Sequence, residues 1–115
     1  FWVDSNSVSA TYLEQFGLFL GGLLLNKSAH SADLHRTVLC RHTEPNYLAI
    51  LKQRLIEEEE TLKKQNASYV FYLNNIFVNP ELLTVTLLGD RQFFIAGQQT
   101  SNENCGYTLH FTYKG

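Results

Sequence analysis

The hydrophobic pattern of this chain changes its period once, near Asn66, and this change limits the folds open to it. Before Asn66, apolar residues recur every three or four positions, which is typical of amphipathic helices. After Asn66, they alternate in steps of two between turn residues, which is typical of strands. Because helices precede strands instead of alternating with them, the sequence predicts an α+β fold whose helices cover one face of a curved antiparallel sheet.

The helical part, about residues 8–65, predicts three helices. They run from about Val8 to Leu25 with Ser7 or Ser9 as N-cap, from about Ala29 to Arg41 after Ser28 or Ser31, and from about Pro45 to Gln65. Proline suits the first turn of the third helix. That helix is predicted to turn Leu48, Leu51, Leu55 and Leu62 inward and to leave the acidic run Glu57–Glu60 solvated.

Residues 16–25, FGLFLGGLLL, carry no charge and no hydrogen-bonding side chain. A membrane span needs about 20 apolar residues, so this run predicts a buried helix instead. Gly17 and Gly21 lie inside that helix, where glycine costs about 1 kcal/mol relative to alanine, which favours close packing on another element. Helical spacing predicts an inner face of Val8, Tyr12, Phe16, Phe19, Leu20 and Leu23.

The second part, about residues 69–114, predicts a four-strand meander. The predicted strands are Tyr69–Val78, Leu83–Leu88, Gln92–Gln99 and Gly106–Lys114. Turns are expected at Asn79-Pro80-Glu81 and Gly89-Asp90, and a polar loop at Thr100–Asn104.

No arrangement of residues in the sequence predicts catalysis, a metal site or a cofactor site. His35 and His42 share a predicted helix face, but seven helical residues place them about 10 Å apart, too far to share an ion. Zinc spacings, nucleophile turns and phosphate-binding glycine loops are not recognisable. A net charge of −2 without a basic patch gives no reason to expect nucleic-acid binding. Cys40 and Cys105 leave open one disulfide or two free thiols.

Uncharged aromatic residues on the predicted strands are the strongest local signal. Nine of them lie between residues 69 and 113, a region with very few charges. Since helices can cover only one sheet face, alternation sends some aromatic rings to the other face, where a large apolar patch marks a partner surface. The alternative is that these are ordinary surface aromatic residues.

Six segments also resemble a known family. They are SATYLEQF (9–16), LLLNKSAHSAD (23–33), VLCRHTEP (38–45), LIEEEETLKKQNASYVFY (55–72), IFVNPELLTVTLLGD (76–90) and FIAG (94–97). In order and spacing they resemble the TraE family of conjugative type IV secretion systems, and the match covers nearly the whole chain.

The resemblance implies an inner-membrane assembly factor or scaffold for the conjugative pilus and transfer channel. The present chain would be its single periplasmic domain, with a nuclear-transport-factor-2-like fold, following a membrane helix upstream of Phe1. Family members continue beyond Gly115 with one more short strand and a tail. The implied partners are other inner-membrane and periplasmic components of the secretion system, together with a possible homo-oligomer.

Contact residues expected on this basis are Gly17, Gly21, Tyr72, Phe93 and Phe94. An alternative from another class is a small-ligand carrier, isomerase or dehydratase, since the same fold places pockets between helices and sheet. Such an enzyme would need an inward carboxylate or histidine, and the candidates are His110 and Asp33.

Overall fold

The computed structural model describes residues 1–4 and 9–114. Within them lie three helices, α1 (Ala10–Leu25), α2 (Ala32–Arg41) and α3 (Pro45–Gln65). The strands are β1 (Trp2–Asp4), β2 (Lys27–Ser28), β3 (Ala67–Asn79), β4 (Thr84–Ile95), β5 (Gln98–His110) and β6 (Thr112–Lys114). An antiparallel sheet has the order β2-β3-β4-β5, and β1 pairs with β6 in parallel. The α+β class, three helices and a four-stranded antiparallel sheet are confirmed.

The bounds of the strands differ from the predicted ones. Gly89-Asp90 lies inside β4 and not at a turn, so the two predicted strands around it are one. Glycine occupies position 89 because the strands pack closely there and not because the chain turns. A Cβ on Gly89 would overlap the carbonyl oxygen of Tyr72 on the neighbouring strand. The β4–β5 hairpin instead turns at Ala96-Gly97, whose φ angles of 50° and 81° are both positive, as a type I′ turn requires.

Strand β5 also differs from the prediction. It begins at Gln98, so the predicted polar loop Thr100–Asn104 is part of a strand. It ends at His110, and after Phe111 the chain continues as β6, which pairs with β1. The fourth strand of the large sheet is β2, which comes before α2.

Helix α1 lies on the sheet through its glycines. A Cβ on Gly17 would come within 2.6 Å of Val85 Cγ1, and one on Gly21 would overlap Leu87 Cδ1. Close packing of these glycines on another element is therefore confirmed. Of the predicted inner face, Leu20 is buried and Phe16 and Leu23 pack against the core, whereas Tyr12 and Phe19 are exposed. The buried residues are Leu13, Gly17, Leu20, Gly21, Leu24 and Leu25, whereas Phe19 is half exposed.

The helix ends follow local signals. Ser9 caps α1, because its Oγ accepts a hydrogen bond from the Tyr12 amide at 3.1 Å; Ser7 and Val8 lie outside the described residues. Helix α2 begins at Ala32, later than predicted, because Ser28 Oγ and Ser31 Oγ bond each other at 3.1 Å in the preceding turn. The predicted bounds of α3 are confirmed.

The main core lies between α1 and the sheet. Val85, Leu87 and Leu109 of the sheet are at most 2% exposed, and Leu55 of α3 joins them. A second, smaller cluster joins Leu62 of α3 to Ala67. Among the described residues, no helix has both the length and the apolar character that crossing a membrane requires.

Candidate functional site

The sheet has an inner face under the helices and an outer face away from them. Val85 and Leu87 pack against α1, so Thr86 and Leu88 point to the outer face, because side chains alternate along a strand. Residues paired across an antiparallel sheet share a face. Phe77 pairs with Thr86 and Tyr72 pairs with Asp90, which places both aromatic rings on the outer face.

Three apolar side chains on the outer face are open to solvent. Tyr72 is 52% exposed, Phe77 54% and Leu88 37%. The register places Leu88 between the other two, two positions from each of their direct partners on β4, within reach for large side chains. We call Tyr72, Phe77 and Leu88 the outer patch. An exposed apolar cluster of this kind is typical of a protein contact surface.

The predicted contact residues separate into two groups. Tyr72 belongs to the outer patch, and alternation places the half-buried Phe94 on the same face. Phe93 faces inward, where its ring lies 4.8 Å from that of Tyr69. Gly17 and Gly21 are buried against the sheet of their own chain, so they offer no surface to a partner. Phe93, Gly17 and Gly21 therefore pack within their own chain, and contact roles for them stay predictions.

Phe77 and Leu88 were not among the predicted contact residues, although sequence signals for both exist. Phe77 is one of the nine aromatic residues on the predicted strands. Leu88 follows Leu87 directly, so the two side chains point to opposite faces of a strand. Their face follows only from the strand register, and the bulge at Asn74 shifts that register within β3.

A charge cluster surrounds the C-terminal end of α1. Arg91 of β4 donates hydrogen bonds from Nε to the Leu25 carbonyl at 3.3 Å and from Nη2 to the Leu24 carbonyl at 3.5 Å. Its guanidinium also lies 3.8 Å from the centre of the Tyr69 ring. The negative end of the helix dipole stabilises a cation at this position. Arg91 is thus tied to the fold.

Glu58 of α3 completes this cluster. Its Oε1 lies 2.5 Å from Nζ of the buried Lys27, and its Oε2 lies 3.9 Å from Nη2 of Arg91. The carboxylate therefore balances two cations at the junction of α1, α3 and the sheet. The contacts join these elements, so Glu58 has a structural role.

Glu59 contradicts the prediction of a fully solvated acidic run, because it is only 8% exposed. Its Oε1 accepts a hydrogen bond from Lys63 Nζ at 2.9 Å, one helical turn away, and its Oε2 lies 3.4 Å from Arg36 Nε. Arg36 also bonds Asp33, and that hydrogen bond raises the pKa of the guanidinium. The Arg36–Glu59 pair connects α2 to α3, and the other two pairs lie within one helix each, so all three are structural contacts.

The enzyme alternative requires a pocket between helices and sheet, and a cleft of about 590 Å³ lies between α3 and β5. His110 lines this cleft, but Asp33 lies on α2 and bonds Arg36 instead. The two candidate residues are therefore not brought together.

The remaining histidines and cysteines do not converge either. His35 Nδ1 lies 3.1 Å from the Leu23 carbonyl, and the His42 ring lies 5.1 Å from that of Phe16. Cys40 and Cys105 are free thiols. In residues 1–4 and 9–114, no three His, Cys, Asp or Glu side chains are grouped as metal ligands would be.

Comparison with known proteins adds the family. The family described as TraE protein matches residues 1–115. The chain belongs to the TraE family. Two curated relatives, both called Protein TraE, come from Escherichia coli strain K12 and from Escherichia coli; each is 30% identical over 109 residues. The match covers 95% of this chain and 58% of each relative, so the chain spans under two thirds of those TraE proteins. No solved structure matches it.

Proposed function

We propose that this TraE chain is a structural part of a conjugative type IV secretion system and helps to assemble the pilus and transfer channel through protein contacts. The family match over residues 1–115 carries this proposal. The outer patch supports it, because a scaffold needs an exposed surface of low polarity for its partners. In this proposal the chain binds other inner-membrane and periplasmic components of the system, associates with further copies of itself, and catalyses no reaction.

The proposal includes a location and a finer fold. The domain lies in the periplasm and is held at the inner membrane by a helix elsewhere in the full-length protein. Its fold belongs to the nuclear-transport-factor-2-like class, as the helix-covered curved sheet suggests. Cysteine labelling with a membrane-impermeant reagent tests the location, and an experimental structure tests the fold.

The first test is genetic complementation. In cells whose conjugative plasmid lacks this gene, we expect transfer frequency and pilus number to fall, and the full-length protein supplied in trans to restore both. Unimpaired transfer in the deletion strain would contradict the proposal and direct attention to the cleft between α3 and β5.

The second test separates contact from folding. Phe77→Asp places a charge in the outer patch, and Leu34→Asp is a matched control because Leu34 is a 65% exposed residue on α2. We expect both variants to keep the circular dichroism spectrum of the native protein and only Phe77→Asp to reduce transfer. Equal transfer by the two variants would remove the outer patch from the proposal.

A further inference from the structure

Strand β5 has a long edge that no strand covers in the described part of the chain. It is the last strand in the order β2-β3-β4-β5, and its 13 residues are mostly exposed. Phe1 reaches its last residue, donating from its nitrogen to the His110 carbonyl at 2.9 Å. The strand carries no Lys, Arg or Pro, the residues that commonly protect an edge from pairing with another chain. Its backbone groups are therefore available to a further strand.

Helix α3 forms a wall beside this edge. Tyr47, Ile50, Leu51 and Arg54 have the spacing of one helix face, and they line the cleft of about 590 Å³ together with Tyr107 and Leu109 of β5. Tyr47 and Ile50 are 60% and 56% exposed, although both are large and apolar. Burial in this cleft raises the pKa of the Tyr107 phenol, an effect that the nearby Arg54 opposes. The cleft is thus an apolar groove with a strand edge along one side.

The groove has the length of a short extended segment. Glu44 and Arg54 line its two ends, and ten helical residues at about 1.5 Å each correspond to about 15 Å. A strand rises about 3.4 Å per residue, so four or five extended residues fill that length. Arg54 is exposed and forms no ion pair with any described residue, which leaves its charge available to a ligand.

We propose that the α3–β5 groove binds an extended segment of a partner protein as an added strand on β5. The segment carries apolar side chains at alternate positions, which pack on Tyr47 and Ile50, and an acidic residue at the end beside Arg54. Main-chain hydrogen bonds to β5 supply affinity, and the alternate side chains supply specificity. This surface is separate from the outer patch, and its peptide test does not depend on a role in conjugation.

The probe is a capped six-residue peptide of alternating threonine and valine with a glutamate at one end, made with the glutamate first and, separately, last. NMR of the labelled protein follows the β5 amides from Gly106 to Leu109. We expect one of the two peptides to shift these resonances and to slow their hydrogen exchange. The same peptide with N-methylated backbone amides is expected to lose binding, because it cannot form strand hydrogen bonds.

Variants test the side chains that hold the segment. Ile50→Lys is expected to weaken binding about tenfold, since Ile50 is an apolar anchor that the bound segment covers, while Leu34→Lys on α2 is the matched control. Arg54→Glu is expected to weaken the glutamate peptide about fivefold and to favour a lysine-ended one. Both positions are solvent-exposed, so circular dichroism should show the native fold.

Three results would overturn the proposal. Binding that survives N-methylation shows that no strand is added. Equal affinity of the glutamate peptide for Arg54→Glu and for the native protein shows that Arg54 does not bind the acidic end. Protection of the β5 amides that rises with protein concentration, without any peptide effect, shows that the edge pairs with a second copy of the chain instead.

Discussion

At the scale of the residue, Phe93 and Phe94 show how one position along a strand decides the role of a side chain. Phe93 packs inward on Tyr69, in the cluster that holds Leu62, whereas Phe94 lies on the outer face beside Ser68. The same substitution therefore has different consequences at the two sites. Both rings are partly buried, but a charge at position 93 lies against the apolar cluster around Leu62, whereas one at position 94 lies on the outer face.

We expect Phe93→Asp to lower the free energy of unfolding by more than about 2 kcal/mol, because it places an unpaired carboxylate among apolar residues. Phe94→Asp should cost less than about 1 kcal/mol and should weaken partner binding if the outer face is the contact surface. Urea unfolding of both variants measures the difference. A greater loss of stability in Phe94→Asp would place Phe94 in the core instead.

At the scale of the element, α1 depends on having no side chain where it crosses β4. Alanine normally stabilises a helix relative to glycine by about 1 kcal/mol. At Gly17 the added Cβ would lie 2.6 Å from Val85 Cγ1, whereas at Gly22 no atom lies within 4 Å. The helix thus contains both a constrained glycine and a matched unconstrained one.

We expect Gly17→Ala to destabilise the protein by about 2 kcal/mol through overpacking, and Gly22→Ala to stabilise it by up to about 1 kcal/mol. Combining Gly17→Ala with Val85→Ala should recover part of the loss, since the smaller partner makes room. Thermal unfolding of the native protein, Gly17→Ala, Val85→Ala and the double variant gives the coupling between positions 17 and 85. Stabilisation by Gly17→Ala alone would mean that α1 does not lie this close to β4.

The element scale also shows which features the sequence could predict. The bounds of α3 were predictable because Pro45 opens the helix and the apolar period ends near Asn66, which takes a left-handed φ of 48°. The β4–β5 turn was not, because alanine rarely takes the positive φ that Ala96 has, while Gly89-Asp90 resembled a turn. For the predicted contact surface, the aromatic signal singled out Tyr72, whose ring is exposed on the outer face, but the inward face of Phe93 followed only from the strand register.

At the scale of the whole molecule, buried ion pairs connect α3 to the rest of the fold. The Lys27 side chain is 4% exposed and pairs with Glu58, so removing the carboxylate leaves a buried cation with no charged partner. Glu60, two positions further along α3, is exposed and provides a control in the same helix. The two glutamates differ in surroundings and not in type.

We expect Glu58→Gln to lower the free energy of unfolding by about 3 kcal/mol and Glu60→Gln to change it by less than about 0.5 kcal/mol. Because the Lys27 side chain is only 4% exposed, although that of Glu58 is 31% exposed, the loss in Glu58→Gln should depend less on salt than that of a fully exposed pair. Denaturant unfolding at two salt concentrations tests this. A loss that disappears in high salt would indicate a solvent-exposed pair.

The pairing of β1 with β6 also has a consequence for the order of folding. Trp2 lies opposite Thr112, so this contact closes a loop of 110 residues, the difference between the two numbers. Closing so long a loop early is entropically costly, and we expect β1 to pair with β6 after the four-stranded sheet has formed. Val3→Ala, at a 2% exposed position of β1, should then speed unfolding about tenfold and leave the refolding rate unchanged in stopped-flow experiments. A slower refolding rate would place β1 in the folding nucleus. An unchanged refolding rate means that β1, although it comes before the other described strands in the sequence, pairs only after the rate-limiting step of folding.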